Sequence, residues 1–277
     1  MQAGYFLSGR IIYAGAITGF GVLCLVYVDF LNSLQPVPAW VPGRGLLAIL
    51  SGLVLVIAGL AIMTNLRTRP AALAIAVLFV SGIVLLHVPS AFTDPALLRS
   101  PWWIRTFESL ALAGVALILA GLAGDPARGS WVRVGHIAFG VSLPVFGILH
   151  FVYPESVAAL VASATVSYPS PMFWAYLTGA GHFAAGVAIA TGVLSRWAAI
   201  LAGFMYASWA LTLHLPRVIS HPAARSIDNP TGYAGNRQEL TSLLVCVAFW
   251  GAAWIVAGTT PRSTDPDRVR KNSLRIS

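Results

Sequence analysis

Eight predominantly apolar runs follow one another through this chain, near residues 11–31, 46–64, 70–90, 106–124, 134–153, 172–194, 197–215 and 239–258. An α-helix rises 1.5 Å per residue, so a run of roughly 20 residues crosses about 30 Å of hydrocarbon. Lipid offers no partner for a bare peptide group, which leaves such runs one local structure, the helix. The pattern predicts an all-α membrane protein with eight transmembrane helices. Composition bears this out: 57% of the 277 residues are apolar and 9% charged, against about 25% charged in a soluble domain. The first run is too long for a cleaved signal peptide and lacks a small-x-small site, so it should stay in the membrane.

Lysine and arginine set the expected orientation. With eight spans both termini share one side, and that side collects eleven basic residues, from Arg10 through Arg275, against six on the other: Arg44, Arg99, Arg105, Arg217, Arg225 and Arg237. Basic residues favour the cytoplasmic side, which predicts a multi-pass membrane protein with both termini inside. The net charge of +8 then reads as topology plus a basic tail over 259–277, suited to anionic headgroups, with no nucleic-acid motif. Cys24 and Cys246 sit inside separate spans at non-equivalent places, a pattern that fits packing and not a disulfide or a CxxC centre.

Two of the runs end alike, in "LHVP" at 86–89 and "LHLP" at 213–216. His87 and His214 are 127 positions apart, and the same offset carries Gly52 onto Gly179, Gly59 onto Gly186 and Arg69 onto Arg196. With small gaps outside that block, Asp29 pairs with His150 and Glu108 with Glu239. The sequence therefore predicts two parallel-repeat four-helix bundles, 1–124 and 125–258, joined by the short turn "AGDPARGSWVRVG". An even number of spans inserts both copies in one direction, so a pseudo-two-fold axis should run along the membrane normal.

Ionisable groups inside spans cost about 2.5 to 3.5 kcal/mol each on insertion scales and should face the protein interior or the headgroups. His182 falls near mid-depth, on a narrow face with Gly179 and Gly186 at i, i+3, i+7 spacing. Its counterpart in the first half is Leu55. Two readings stand for it: an interhelical cross-link, or a ligand or proton-transfer site. His150 lies in the outer third of its span. Each of His87 and His214 is followed by Pro, expected to stop the helix, so each could cap the last carbonyls; each also has a carboxylate opening the next span, which allows the pairs His87 with Glu108 and His214 with Glu239. Asp29 is a further candidate. Trp209, Trp250 and Trp254 lie deep, Trp209 with a chance to line a pocket, whereas Trp40, Trp102, Trp103, Trp131 and Trp174 sit at span ends where amphipathic rings favour the interface.

The stretch "FGILHFVYPESVAALV", followed by "PMFWAYLTGAGHFAAGVAIATGVLSRWAAILAGFMYASWALTLHLP", resembles the DoxX-like family of small four-helix bacterial membrane proteins, and the first half resembles a more diverged copy. The resemblance implies an inner-membrane four-helix bundle and, for some members, a place in quinone-reducing thiosulfate oxidoreductases or membrane-bound redox-stress complexes. Relatives tied to methylamine utilisation use cysteine chemistry, for which this chain has no suitable pair.

Two functions of different class remain open. In one, the chain is the membrane subunit of a quinone-linked redox system with a soluble or membrane partner protein. His182, His150 and Glu239 would move protons there, and His214, Asp29, His87, Glu108 and Trp209 would line the ligand site. In the other, it is a non-enzymatic binding or transport protein for a small amphiphile. Haem held by His150, His182 or His214 is a third reading without a recognised motif; no metal site and no nucleotide or nucleophile motif is present. Tags at both ends and in the 217–238 loop test the orientation: the termini should be accessible only from the cytoplasm and the loop only from outside, and the reverse labelling overturns it.

Overall fold

The computed structural model describes residues 2–31, 33–93, 103–123, 129–162, 168–220 and 235–260. Among them, eight helices are long and apolar enough to cross a membrane. They are α1 (Gln2–Tyr27), α2 (Arg44–Met63), α3 (Thr68–Phe92), α4 (Trp103–Leu122), α5 (Gly129–Val152), α7 (Pro171–Thr191), α8 (Ser195–Ser220) and α9 (Gly235–Thr259). A ninth, shorter helix, α6 (Pro154–Ala162), follows α5. The tail over 261–277 and residues 124–128 of the expected linker lie outside the described residues.

Each spanning helix packs on its neighbours in sequence, and α9 returns to α1, so the eight form a closed ring in the order of the chain. The tightest seams are glycine seams. A Cβ on Gly52 would lie 2.9 Å from the Gly21 carbonyl oxygen, and one on Gly9 would lie 2.7 Å from that of Gly251. In the other half, α5 approaches α4 and α7 in the same way. A Cβ on Gly114 would come within 2.9 Å of the Gly135 oxygen, and one on Gly147 within 2.7 Å of the Gly179 oxygen. Lipid tails are as apolar as the side chains, so helices associate through such close van der Waals approach rather than through expulsion of water. The α2–α3 and α7–α8 seams are looser.

The expected helix ends differ in three places. Helix α1 begins nine residues before its apolar run because Tyr5 packs edge-on against Trp254, ring centroids 5.5 Å apart, and Phe6 lies against Gly258, which extends the α1–α9 seam. Helix α9 begins at Gly235, which puts Arg237 and Glu239 inside the helix. Neither Pro89 nor Pro216 stops its helix. A π-helical turn, Ile83–His87 or Ala210–His214, precedes each, and the helix resumes through it to Thr93 or Ser220. A π turn absorbs one extra residue and re-phases the helix, so the missing proline N–H falls where the regular ladder is already broken.

Features of the two halves recur at the 127-residue offset. The π turns do so, and so do the left-handed residues between spans: Asn65 (φ 61°) with Gly192 (φ 81°), and Arg67 with Leu194 (both φ 52°). Packing gives a different register elsewhere. Gly52 abuts Cys24 and Gly179 abuts His150, so the position matching His150 is Cys24 and not Asp29. Gly114 meets Gly135 as Gly251 meets Gly9, which sets Glu108 opposite Val245 and not opposite Glu239. Loop lengths near the helix ends misled the placing of the gaps, whereas the glycine contacts are fixed by geometry.

Replacing Gly9 by leucine should force α1 and α9 apart and cost about 1 to 3 kcal/mol or more, because the nearest atoms are backbone that cannot turn aside. Gly4, with open space around its Cα, is the control. Thermal unfolding in detergent should fall for Gly9→Leu and stay unchanged for Gly4→Leu.

Candidate functional site

Helix α7 turns its Gly179, His182 and Gly186 face onto α5, as the spacing predicts. The small residues let the α5 backbone approach, and His182 between them becomes 1% exposed. A polar ring buried so deeply needs partners. His182 Nδ1 lies 2.9 Å from the Thr178 carbonyl, one turn back on its own helix. His150, on α5, sets its Nδ1 3.0 Å from the Ala175 carbonyl and 3.1 Å from Thr178 Oγ1, whose own proton goes to the Trp174 carbonyl at 2.6 Å. Only a protonated nitrogen can face a carbonyl oxygen. Both rings therefore carry the Nδ1 proton when neutral, and Nε2 is left as the lone-pair nitrogen of each, with no hydrogen-bond partner among the described residues.

The two imidazoles lie against each other, centroids 5.1 Å apart, within an aromatic wall. Trp209 stacks on His150 at 5.8 Å with 13° between planes, and Tyr206 and Phe146 meet His182 edge-on at 5.4 and 5.9 Å. Together they line a cavity of about 250 Å³ inside the bundle, with Glu108 of α4 and His214 of α8 also on its wall. Helix α6 covers it with Val157, Leu160 and Val161. Three groups there are unpaired. Tyr206 and Ser33 are 4% and 8% exposed and their hydroxyls have no partner among the described residues, and the partly buried Glu108 carboxylate makes no hydrogen bond or ion pair among them. Unpaired buried polar groups are costly and point to something that completes them.

Several expected site residues are elsewhere. Asp29 is held by Arg44, and by Arg237 at 3.2 Å; Arg237 also donates to the Asp29 carbonyl at 3.0 Å and to that of Phe30. This clamp ties the α1–α2 loop to the start of α9, outside the cavity. His87 is not paired with Glu108: its Nε2 meets the Leu34 carbonyl at 3.2 Å, and the ring is fully buried. Glu239 does not line the cavity. It accepts from Arg217 at 2.5 Å and lies 3.4 Å from His214 Nδ1, so the expected His214–Glu239 contact is present, as part of a three-residue cluster behind the cavity wall.

Sequence reasoning missed Tyr206 as a site residue and took Cys246, also on the wall, as packing alone. The offset of 127 held a signal for the first, since it sets Tyr206 against Phe79, a difference of one hydroxyl. For Cys246 no signal existed, because the wall is made by helices distant in sequence.

Residues 133–215 match the family model described as DoxX. This part of the chain is a DoxX domain. No curated protein and no solved structure matches the chain. The DoxX domain supplies His150, His182, Tyr206, Trp209 and His214, but Glu108 on α4 and Cys246 on α9 come from outside it. The cavity is thus complete only when helices flanking the domain close around it.

Removing the Asp29 carboxylate takes from Arg237, 6% exposed, the ion pair at 3.2 Å. Asp29→Ala should therefore destabilise the protein by about 3 kcal/mol, the usual effect of breaking a buried ion pair. It should leave the cavity's binding properties intact in the folded fraction, as measured by thermal melts alongside ligand titration.

Proposed function

We propose that this integral membrane protein binds a lipid quinone headgroup in the His150–His182–Glu108–Tyr206 cavity, as the membrane subunit of a redox system. The observation that carries the reading is the set of unpaired polar atoms in an otherwise apolar cavity: two imidazole Nε2 atoms that accept, the Tyr206 and Ser33 hydroxyls that donate, and a carboxyl group that does either according to its protonation. A quinone carbonyl takes a hydrogen bond from Tyr206, and a quinol hydroxyl gives one to an imidazole. Interconversion of the two forms moves two protons and two electrons. The protons pass to and from His182, His150 and Glu108, and a redox partner protein exchanges the electrons. A mostly apolar slot with a few convergent polar groups is the usual build of such sites. A cavity of about 250 Å³ suits a single substituted ring and is small for a haem macrocycle.

The recurrence of the π turns and left-handed residues supports descent of the two halves from one duplicated four-helix unit, with the site kept in the second. In the first, Cys24, Leu55 and Phe79 stand where His150, His182 and Tyr206 stand in the second. With the termini on the cytoplasmic side, the site lies toward the outer leaflet.

Titration of the chain in nanodiscs with a decyl-tailed benzoquinone, read by quenching of tryptophan fluorescence, tests the reading. Wild type should bind. His182→Leu should stay folded with affinity lowered tenfold or more, since one lost buried hydrogen bond is worth about 1.4 kcal/mol, and His182→Gln should lose less. Absence of quinone binding by the wild type overturns it. Binding of saturated alkyl alcohols with equal affinity would instead favour a carrier of small amphiphiles.

A further inference from the structure

Behind Trp209 lies a second hollow, on the outer surface of the ring. It occupies the loose seam between α7 and α8 and has a volume of about 630 Å³. Its rim residues Leu177 and Leu201 are 48% and 66% exposed, and both belong to membrane-spanning helices, so the groove opens sideways onto hydrocarbon. Along α8 it runs from Leu201 to Thr212, roughly 16 Å at the helical rise. Gly181 helps keep it open: its nearest neighbour across the seam, Met205 Sδ, would lie 3.6 Å from an added Cβ, an ordinary contact unlike those at the glycine seams.

The groove looks polar in sequence and is not. Thr178, Ser208 and Thr212 each turn the hydroxyl back to a carbonyl of their own helix, at 2.6, 2.7 and 2.7 Å, which leaves methyl and methylene groups for a visitor. Trp174 Nε1 is likewise taken, by the Tyr168 carbonyl at 3.0 Å. An occupant therefore needs no polar group along this length. The groove and the polar cavity share Val161, Trp209 and Leu213, so these three side chains are the partition between them. The π turn at Ala210–His214 carries part of that partition, turning both Leu213 and His214 inward, one after the other.

We propose that the α7–α8 groove is the binding site for the prenyl tail of the lipid quinone, and that the headgroup reaches the histidine cavity sideways from the bilayer, past Trp209. This rests on the headgroup assignment above. An apolar trough open to lipid on one side and a polar chamber of single-ring size on the other match the two parts of one molecule. Trp209 stacks its ring on His150 and bounds both spaces, so rotation of that one side chain joins them. The sideways route also explains why α6 can cover the cavity without closing it to ligand.

Ser208 is exposed on the groove and absent from the cavity wall, so Ser208→Trp fills the trough and leaves the polar chamber untouched. The decyl-tailed benzoquinone and its tailless dimethoxy-methyl analogue are each titrated against the full chain in nanodiscs. Wild type should bind the tailed compound at least tenfold more tightly. Ser208→Trp should abolish that preference while the tailless compound binds as before. Equal affinity of the wild type for both compounds, or an unchanged preference in Ser208→Trp, overturns the tail site. If tailless binding is still lost in His182→Leu in that case, the headgroup reading survives by itself; if wild type binds neither compound, both readings fall. A quinone with a photoreactive diazirine at its tail end gives a second measurement that needs no variant. Adducts on the 174–181 and 201–212 segments support the groove, and adducts confined to other segments overturn it.

Discussion

The close backbone contact at glycine is the interaction on which the rest of this structure depends. In lipid, helices gain nothing by hiding apolar side chains from each other's surroundings, so the seams that hold are those where backbones touch. Gly9 against Gly251, Gly21 against Gly52, Gly114 against Gly135 and Gly147 against Gly179 make α1 and α5 the two anchor helices of the ring. Helix α7 is fixed to α5 by its Gly179 and Gly186 face, and His182, between them, is carried inward with no choice of its own. The same attachment leaves the opposite flank of α7 facing α8 without a glycine seam, and a groove remains there.

Three buried histidines each set one ring nitrogen on a backbone carbonyl: His150 on a packed helix, His182 on its own helix and His87 on a loop. What surrounds the rest of the ring then separates them. For His150 and His182 the second nitrogen looks into a cavity. His87, by contrast, is bound by a loop: the segment after α1 folds into the bundle, its Leu31 and Leu34 each 1% exposed, with Gln35 and Ser51 joined at 2.8 Å. That loop fills in the first half the kind of space that α6 merely covers in the second. The difference between plug and cover leaves the polar cavity beside the second group of helices.

Charged groups divide in the same manner. Asp29, Arg44 and Arg237 neutralise one another at the end of the bundle, and Glu239 is neutralised by Arg217 beside His214. Glu108 alone among these carboxylates faces the cavity without an ion pair among the described residues. An acidic side chain inside a span is costly unless it faces the protein interior, and Glu108 does so, sharing the cavity wall with Tyr206 and His182.

The number of spans, their helical nature, the inward face of α7 and the matching ends of α3 and α8 were all legible in the sequence, because each depends on local length, spacing or short-range pattern. His182, His150, His214 and Trp209 were legible as well, since an intramembrane polar or aromatic group stands out against its neighbours. The partners of those residues were not. Whether Asp29 meets an arginine or a ligand, whether Glu108 pairs with His87 or looks toward His182, and whether Pro216 ends a helix are decided by which backbones touch and where loops fold back. Those contacts join residues far apart in the chain, and only the tertiary structure brings α4, α5, α7, α8 and α9 around one cavity.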